Sequence, residues 1–159
     1  MCRQCAVGIR QLCFAHGLLG LLHRDGRLIG DNTAAYGFCR SLQDARVEMR
    51  GARVGLIGAG GAARAVALAL GDAGAASIAI WNRTAKRAES LAQDLQAILP
   101  MKIWVNDVNA FQNTTLIVNA TSVGMSPRVV ESPLPRGVAL ARDIVVCDLV
   151  YRPARTRLI

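Results

Sequence analysis

The sequence predicts an α/β fold, a doubly wound parallel sheet of Rossmann type with helices on both faces. Three observations predict it. Short apolar runs without polar alternation recur from Arg53 onward, segments of helical pattern separate them, and the glycine-rich stretch Gly58-Ala59-Gly60-Gly61-Ala62-Ala63 joins the first run to the first helix. Strands that lose their polar alternation are buried on both faces, and strands alternating with helices build a parallel sheet. The chain has 159 residues, 52% of them hydrophobic and 19% charged, which is the composition of a globular domain rather than a disordered one. At this length roughly 70% of the unfolded surface becomes buried, enough for one core and an appendage but not for two full domains.

Taken in order, residues 1–30 have mixed periodicity. Within them Asp25-Gly26 marks a tight turn entering a short strand that runs to Gly30, because Asp-Gly tolerates the positive φ of such turns. Asp31, Asn32 and Thr33 are good helix N-caps, and Tyr36, Phe38, Leu42 and Val47 follow at loosely helical spacing, so a helix is expected from Thr33 to about Ala45. A turn at Gly51 precedes the sheet. Strands are expected over Arg53 to Ile57, Ala76 to Trp81, Lys102 to Val105, Leu116 to Asn119 and Ile144 to Leu149. Helices are expected over Gly61 to Leu70 and Thr84 to Ile98, with a short one near Val108 and a Pro-rich link from Pro127 to Pro135. The expected organisation is therefore a remnant or non-native lead over 1–30, a linker helix over 31–50, and a dinucleotide-binding domain over 51–159.

The net charge is +8, and with Lys86 and Lys102 the only lysines it comes almost wholly from arginine. The basic residues are scattered and only 4% of residues are aromatic. That argues against nucleic acid, whose single-strand binders interleave stacking rings with a basic groove. A solvated arginine surface, with a few arginines recruited to ligand phosphates, fits better. No apolar stretch reaches the ~18 residues of a membrane helix, and His16, Gly17 and Gly20 interrupt the run from Leu12 to Leu22. Five cysteines, an odd number, do not resemble a secreted disulfide scaffold, so a reducing, cytoplasmic setting is expected. Cys2-x-x-Cys5 and Cys13-x-x-His16 have the outward spacing of a zinc ligand set, but they sit at the extreme N-terminus and no metal site is expected.

The glycine-rich stretch has the pattern G-x-G-x-x-A between a strand and a helix. Gly58 permits the tight turn, Gly60 lets the backbone approach a pyrophosphate, and Ala63 lets helix and strand pack closely. Free amides at Gly61 and Ala62 then meet the phosphate charge. The second strand ends in Trp81-Asn82-Arg83-Thr84-Ala85-Lys86-Arg87, with three cations and no acid. An NAD site places a carboxylate there for the ribose 2′-hydroxyl, whereas Arg83 suits a 2′-phosphate, so NADP is favoured. Lys86 and Arg87 also read as the solvated face of a helix. The later strands exit into Asn119 to Met125, with Thr121 and Ser122, and into Leu149 to Pro153, which together are expected to line the nicotinamide pocket. Tyr151 is the only aromatic residue in these exits, a candidate substrate contact or a ring packed over a loop.

With these residues in view, the chain resembles the shikimate dehydrogenase family, NADP-dependent enzymes that interconvert 3-dehydroshikimate and shikimate in aromatic amino-acid biosynthesis. The resemblance rests on Gly30-Asp31-Asn32-Thr33 with Gly37-Phe38, on Gly58 to Ala63, on Asn82-Arg83-Thr84 with Arg87, on Asn119-Ala120-Thr121-Ser122-x-Gly124-Met125, and on Asp148-Leu149-Val150-Tyr151-x-Pro153-x-x-Thr156. The quinate/shikimate dehydrogenases share most of these motifs, so both substrates stay open. The resemblance implies that Gly58 to Ala62 hold the pyrophosphate, Asn82 to Arg87 the 2′-phosphate, Leu149 the nicotinamide, and Asn32 and Tyr151 the substrate. It also exposes departures. The family's Asn-Thr-Asp reads Asn32-Thr33-Ala34, an earlier Asn-Thr pair reads Leu19-Gly20, and the family's catalytic lysine and serine pair have no counterpart. The expectation is a truncated member with an incomplete sheet, no catalytic residue of its own and impaired turnover, since a positioned acid or base is worth ~10²–10⁴ in rate. The alternative is a non-catalytic NADP-binding module. Oligomeric state is left open.

Overall fold

A computed structural model describes residues 20–24, 27–31 and 33–159, with side chains from residue 35 onward. The described chain begins with an antiparallel pair, β1 (Gly20–Arg24) and β2 (Arg27–Asp31), in register from Gly20 opposite Asp31 to Arg24 opposite Arg27. Only β2 was expected from the Asp-Gly signal. The run Gly-Leu-Leu-His-Arg of β1 carries no alternation of its own and is recognisable only by its pairing with β2.

Helix α1 (Thr33–Asp44) follows, and its amphipathic spacing turns Phe38 and Leu42 inward while Tyr36 stays exposed. From there the elements alternate: β3 (Arg53–Ile57), α2 (Gly61–Asp72), β4 (Ser77–Trp81), α3 (Ala85–Gln96), β5 (Lys102–Val105), α4 (Val108–Gln112), β6 (Leu116–Asn119) and β7 (Val145–Asp148). Three of the five strands have the bounds their apolar runs predict. Helix α3 stops two residues short of expectation, where the Ile98 amide donates to Leu95 O in an i→i−3 bond instead of the α-helical i→i−4 pattern. Asp107 caps α4, its side chain accepting from the Ala110 amide.

The five strands form one parallel sheet in the order β5-β4-β3-β6-β7. The chain builds outward from β3 in one direction and, after β5, crosses back to lay β6 on its other side. Strand order therefore reverses between β3 and β6, and in open α/β sheets that crevice is where ligands bind.

Alternate residues serve opposite faces. Val54, Leu56, Ile78, Ile80, Leu116 and Val118 face a core completed by α1, α2 and α3. Each such fully buried aliphatic contributes ~1.5–3 kcal/mol by leaving water. Ile57, Ala79 and Ile117 face the second side, where Phe111 of α4 packs edge-on against Trp81. Gly55 makes room for that ring, since a Cβ there would lie 3.0 Å from Phe111. No helix joins β6 to β7. The irregular segment 120–144 takes its place, pressing Leu134, Val138, Leu140 and Ile144 onto the second face.

Candidate functional site

Gly58 closes β3 with φ +116°, a conformation that suits glycine alone, and its amide donates to Trp81 O at 2.8 Å. A Cβ at this position would come within 2.9 Å of Ala120 O and 3.0 Å of Thr121 Cγ2, so the turn is pressed directly against the exit of β6. Two residues on, the side of Gly60 opens onto free space, with nothing within 4 Å of an added Cβ. Gly60 is the N-cap of α2, and no described side chain caps that helix. The first-turn amides of an α-helix lack intrahelical acceptors and carry its positive dipole end. Gly61 and Ala62 are exposed at this end and Ala63 is fully buried beneath it. A tight turn, an open backbone face and an uncapped helix start thus coincide, a cradle that fits an anionic pyrophosphate.

The exit of β4 is held by two asparagines. The Asn82 amide donates to Asn106 Oδ1 at 2.9 Å, and Asn106 Nδ2 returns a bond to Asn82 O at 3.2 Å. Asn82 Nδ2 in turn donates to Thr84 O at 2.9 Å. Asn106 adopts φ +50°, a region asparagine tolerates better than most residues, and its own amide donates to Ile80 O. Arg83, Thr84 and Arg87 stand exposed on this braced exit, and no acidic side chain lies between Trp81 and Arg87.

At the exits of β6 and β7 lies a buried polar network. Asn119 is fully buried; its Nδ2 donates to Asp148 Oδ1 at 2.9 Å, and its Oδ1 accepts from the Thr121 amide at 3.0 Å and hydroxyl at 2.7 Å. Thr121 Oγ1 also accepts from the Val123 amide, so that hydroxyl is engaged inside its own loop. Asp148 accepts twice more, from the Val150 amide at 3.0 Å and from Thr156 Oγ1 at 2.6 Å.

Leu149 lies beside this network and lines an apolar cleft of about 310 Å³ with Ala62, Ala65 and Val66 of α2 and Gly37, Phe38 and Ser41 of α1. Tyr151, at 82% exposure, projects into solvent from the same edge, and Ser122 is exposed as well. The expected coenzyme-binding residues from Gly58 to Leu149 are all found at the carboxyl edge of the sheet. Asn32 lies outside the described residues, as do Cys2, Cys5, Cys13 and His16; Ala34 falls in the first turn of α1. Among the described residues no group of three metal-ligating side chains occurs, and no helix is long and apolar enough to cross a membrane.

Burial raises the thiol pKa of Cys39, helped by Asp72, and that of Cys147, helped by Asp148. The sequence alone gives no role to Asn106, and none to Asp148 or Thr156 beyond their shared motif. The available signals were an asparagine one residue past a strand and an asparagine closing the otherwise apolar β6.

A parallel sheet whose strand order reverses beside a glycine-rich turn defines the doubly wound α/β class. Within that class the profile of the shikimate / quinate 5-dehydrogenase family matches residues 41–149. The chain belongs to this family. It is 44% identical over 146 residues to the NADP(+) shikimate dehydrogenase of Symbiobacterium thermophilum, covering 87% of this chain and 50% of that protein. Shikimate 5-dehydrogenase of Listeria monocytogenes, solved with shikimate and NAD, superposes with a TM-score of 0.79 at 30% identity over 87% of this chain and 51% of that one. The Thermus thermophilus enzyme, solved with NADP(H) and shikimate, superposes with a TM-score of 0.69 at 37% identity over 84% and 47% respectively. The chain spans about half the length of the curated relatives it matches.

Proposed function

We propose that this chain binds NADP(H) along the carboxyl edge of its sheet and serves as the coenzyme half of a dehydrogenase acting on shikimate and 3-dehydroshikimate. In this reading residues 51–159 form the coenzyme domain and 31–50 lead into it. The observation that carries the proposal is the pairing of an open glycine cradle with an acid-free, arginine-bearing exit from β4. The NADP(+) named for the Symbiobacterium relative and the NADP(H) in the Thermus structure support it.

The first-turn amides of α2 take the pyrophosphate, with Gly58, Ala59, Gly60, Gly61 and Ala62 allowing its close approach. Arg83 and Arg87 pair with the 2′-phosphate, charge-assisted bonds worth ~1.5–3 kcal/mol each, and Asn82 and Thr84 hold that exit in shape. Leu149 backs the nicotinamide, Thr121 and Ser122 border it, and Tyr151 with Asn32 meets the substrate. The coenzyme, when bound, supplies or accepts the hydride. Position 34 is alanine, whose side chain carries no proton to exchange with a reacting hydroxyl. That observation favours a second reading, an NADP-binding module with little turnover by itself. The odd cysteine count and the biosynthetic relatives support a cytoplasmic setting.

Calorimetric titration with NADPH and NADH tests the coenzyme reading. NADPH is expected to bind at least tenfold more tightly, and Arg83→Ala to erase that preference while sparing NADH. Equal affinity for both coenzymes overturns the assignment. Shikimate-dependent reduction of NADP separates the two functional readings: turnover near zero favours the module, and robust turnover favours the dehydrogenase with its acid–base group outside position 34.

A further inference from the structure

The carboxylate of Asp148 touches neither the glycine cradle nor the arginine exit, yet it organises the ground between β7 and the described C-terminal residues. One oxygen accepts from the Val150 amide at 3.0 Å and from Asn119 Nδ2 at 2.9 Å; the other accepts from Thr156 Oγ1 at 2.6 Å. The two residues bound to it in its own segment are Val150 and Thr156, so a single side chain clasps both feet of the stretch 149–155. Val150, Thr156 and Leu158 are buried, and Thr156 Oγ1 also accepts from the Leu158 amide at 3.3 Å. Between the feet, Tyr151, Arg152 and Arg155 stand exposed. At the head of the arch, Leu149 lines the apolar cleft together with Ala62 of the glycine-rich helix start.

A dinucleotide seated by its pyrophosphate on the start of α2 sends its adenosine half toward the exit of β4 and its other half toward β6 and β7. The arch borders only the second direction. Resting on the coenzyme reading above, we propose that Asp148 is a positioning residue that, through Val150 and Thr156, closes residues 149–155 into a fixed arch and so sets Leu149 against the nicotinamide half of the coenzyme. A preformed wall spares the ordering of a loop at the moment of binding, and affinity falls when that order is lost. The arch does nothing for the adenosine half.

The two halves of the coenzyme supply the test. Wild-type chain, Thr156→Val and Thr156→Ser are titrated calorimetrically with NADPH and with adenosine 2′,5′-bisphosphate, which has the 2′-phosphate and adenine but no nicotinamide. Thr156→Val keeps the buried volume and deletes the donor to Asp148, together with the longer 3.3 Å acceptor of the Leu158 amide. It is expected to weaken NADPH about tenfold, to leave the bisphosphate within twofold, and to be rescued by Thr156→Ser. In the wild-type chain NADPH, but not the bisphosphate, is expected to slow amide exchange at Leu149 and Val150, a readout independent of any variant. Equal losses for both ligands reduce Asp148 to a purely structural role and overturn the proposal, as does NADPH binding by Thr156→Val at wild-type strength. If the wild-type chain binds no bisphosphate, the coenzyme reading itself falls, and this proposal with it.

Discussion

Gly58 shows how one residue carries both fold and site. Its φ of +116° and the 2.9 Å at which an added Cβ would meet Ala120 O leave no place for a side chain. Gly58→Ala is therefore expected to cost about 1–3 kcal/mol in urea unfolding and to abolish tight NADPH binding, because relief of the clash must push the turn off β6. The half-buried thiols make a different prediction. Burial, aided by Asp72 and Asp148, raises the pKa of Cys39 and Cys147 above that of a free thiol. The folded chain then keeps these protons after the unfolded chain, with thiols near ~8.5, has begun to release them. Stability from this source is complete below that pH and is lost as pH rises through the raised native values. A falling urea midpoint above about pH 8.5, flattened in Cys147→Ala, is the expected outcome, along with alkylation of both thiols slower than for free cysteine.

At the scale of elements, the pair Asn82 and Asn106 joins the exits of β4 and β5 by reciprocal side-chain bonds. Asn106→Ala removes those bonds and leaves an alanine at φ +50°, so a destabilisation of about 2–4 kcal/mol is expected, with Asn106→Gly milder because it relieves the backbone alone. Both variants release the exit that carries Arg83, so both are expected to weaken NADPH more than NADH. Such contacts mark the boundary of what the sequence discloses. Strand runs such as Arg53–Ile57 and Leu116–Asn119 are legible because continuous apolar character is a local property. The glycine cradle is legible because its spacing is local too. The partnership of Asn106 with Asn82 spans 24 residues and depends on which strands become neighbours. The same is true of β1, visible only through its register with β2, and of Thr156, whose partner Asp148 lies eight residues away across an irregular arch. Segment 120–144 covers the second face of the sheet without a helix, so periodicity has nothing to detect there.

For the molecule as a whole, the net charge of +8 acts on any anionic ligand before contact is made. Screening shortens its reach, to about 10 Å at 0.1 M salt. NADPH affinity is therefore expected to fall several-fold between low and moderate salt in calorimetric titrations, and more steeply than NADH affinity, because in the proposed coenzyme site the extra phosphate pairs with Arg83 and Arg87, both exposed. An identical salt slope for the two coenzymes would remove those arginines from the interaction. The seam where the Gly58 turn touches Ala120 and Thr121 has one more consequence. Quieting the turn necessarily quiets its neighbour, so a phosphate held at one lip of the crevice should be registered as slowed deuterium uptake along the other, at backbone sites the phosphate never reaches.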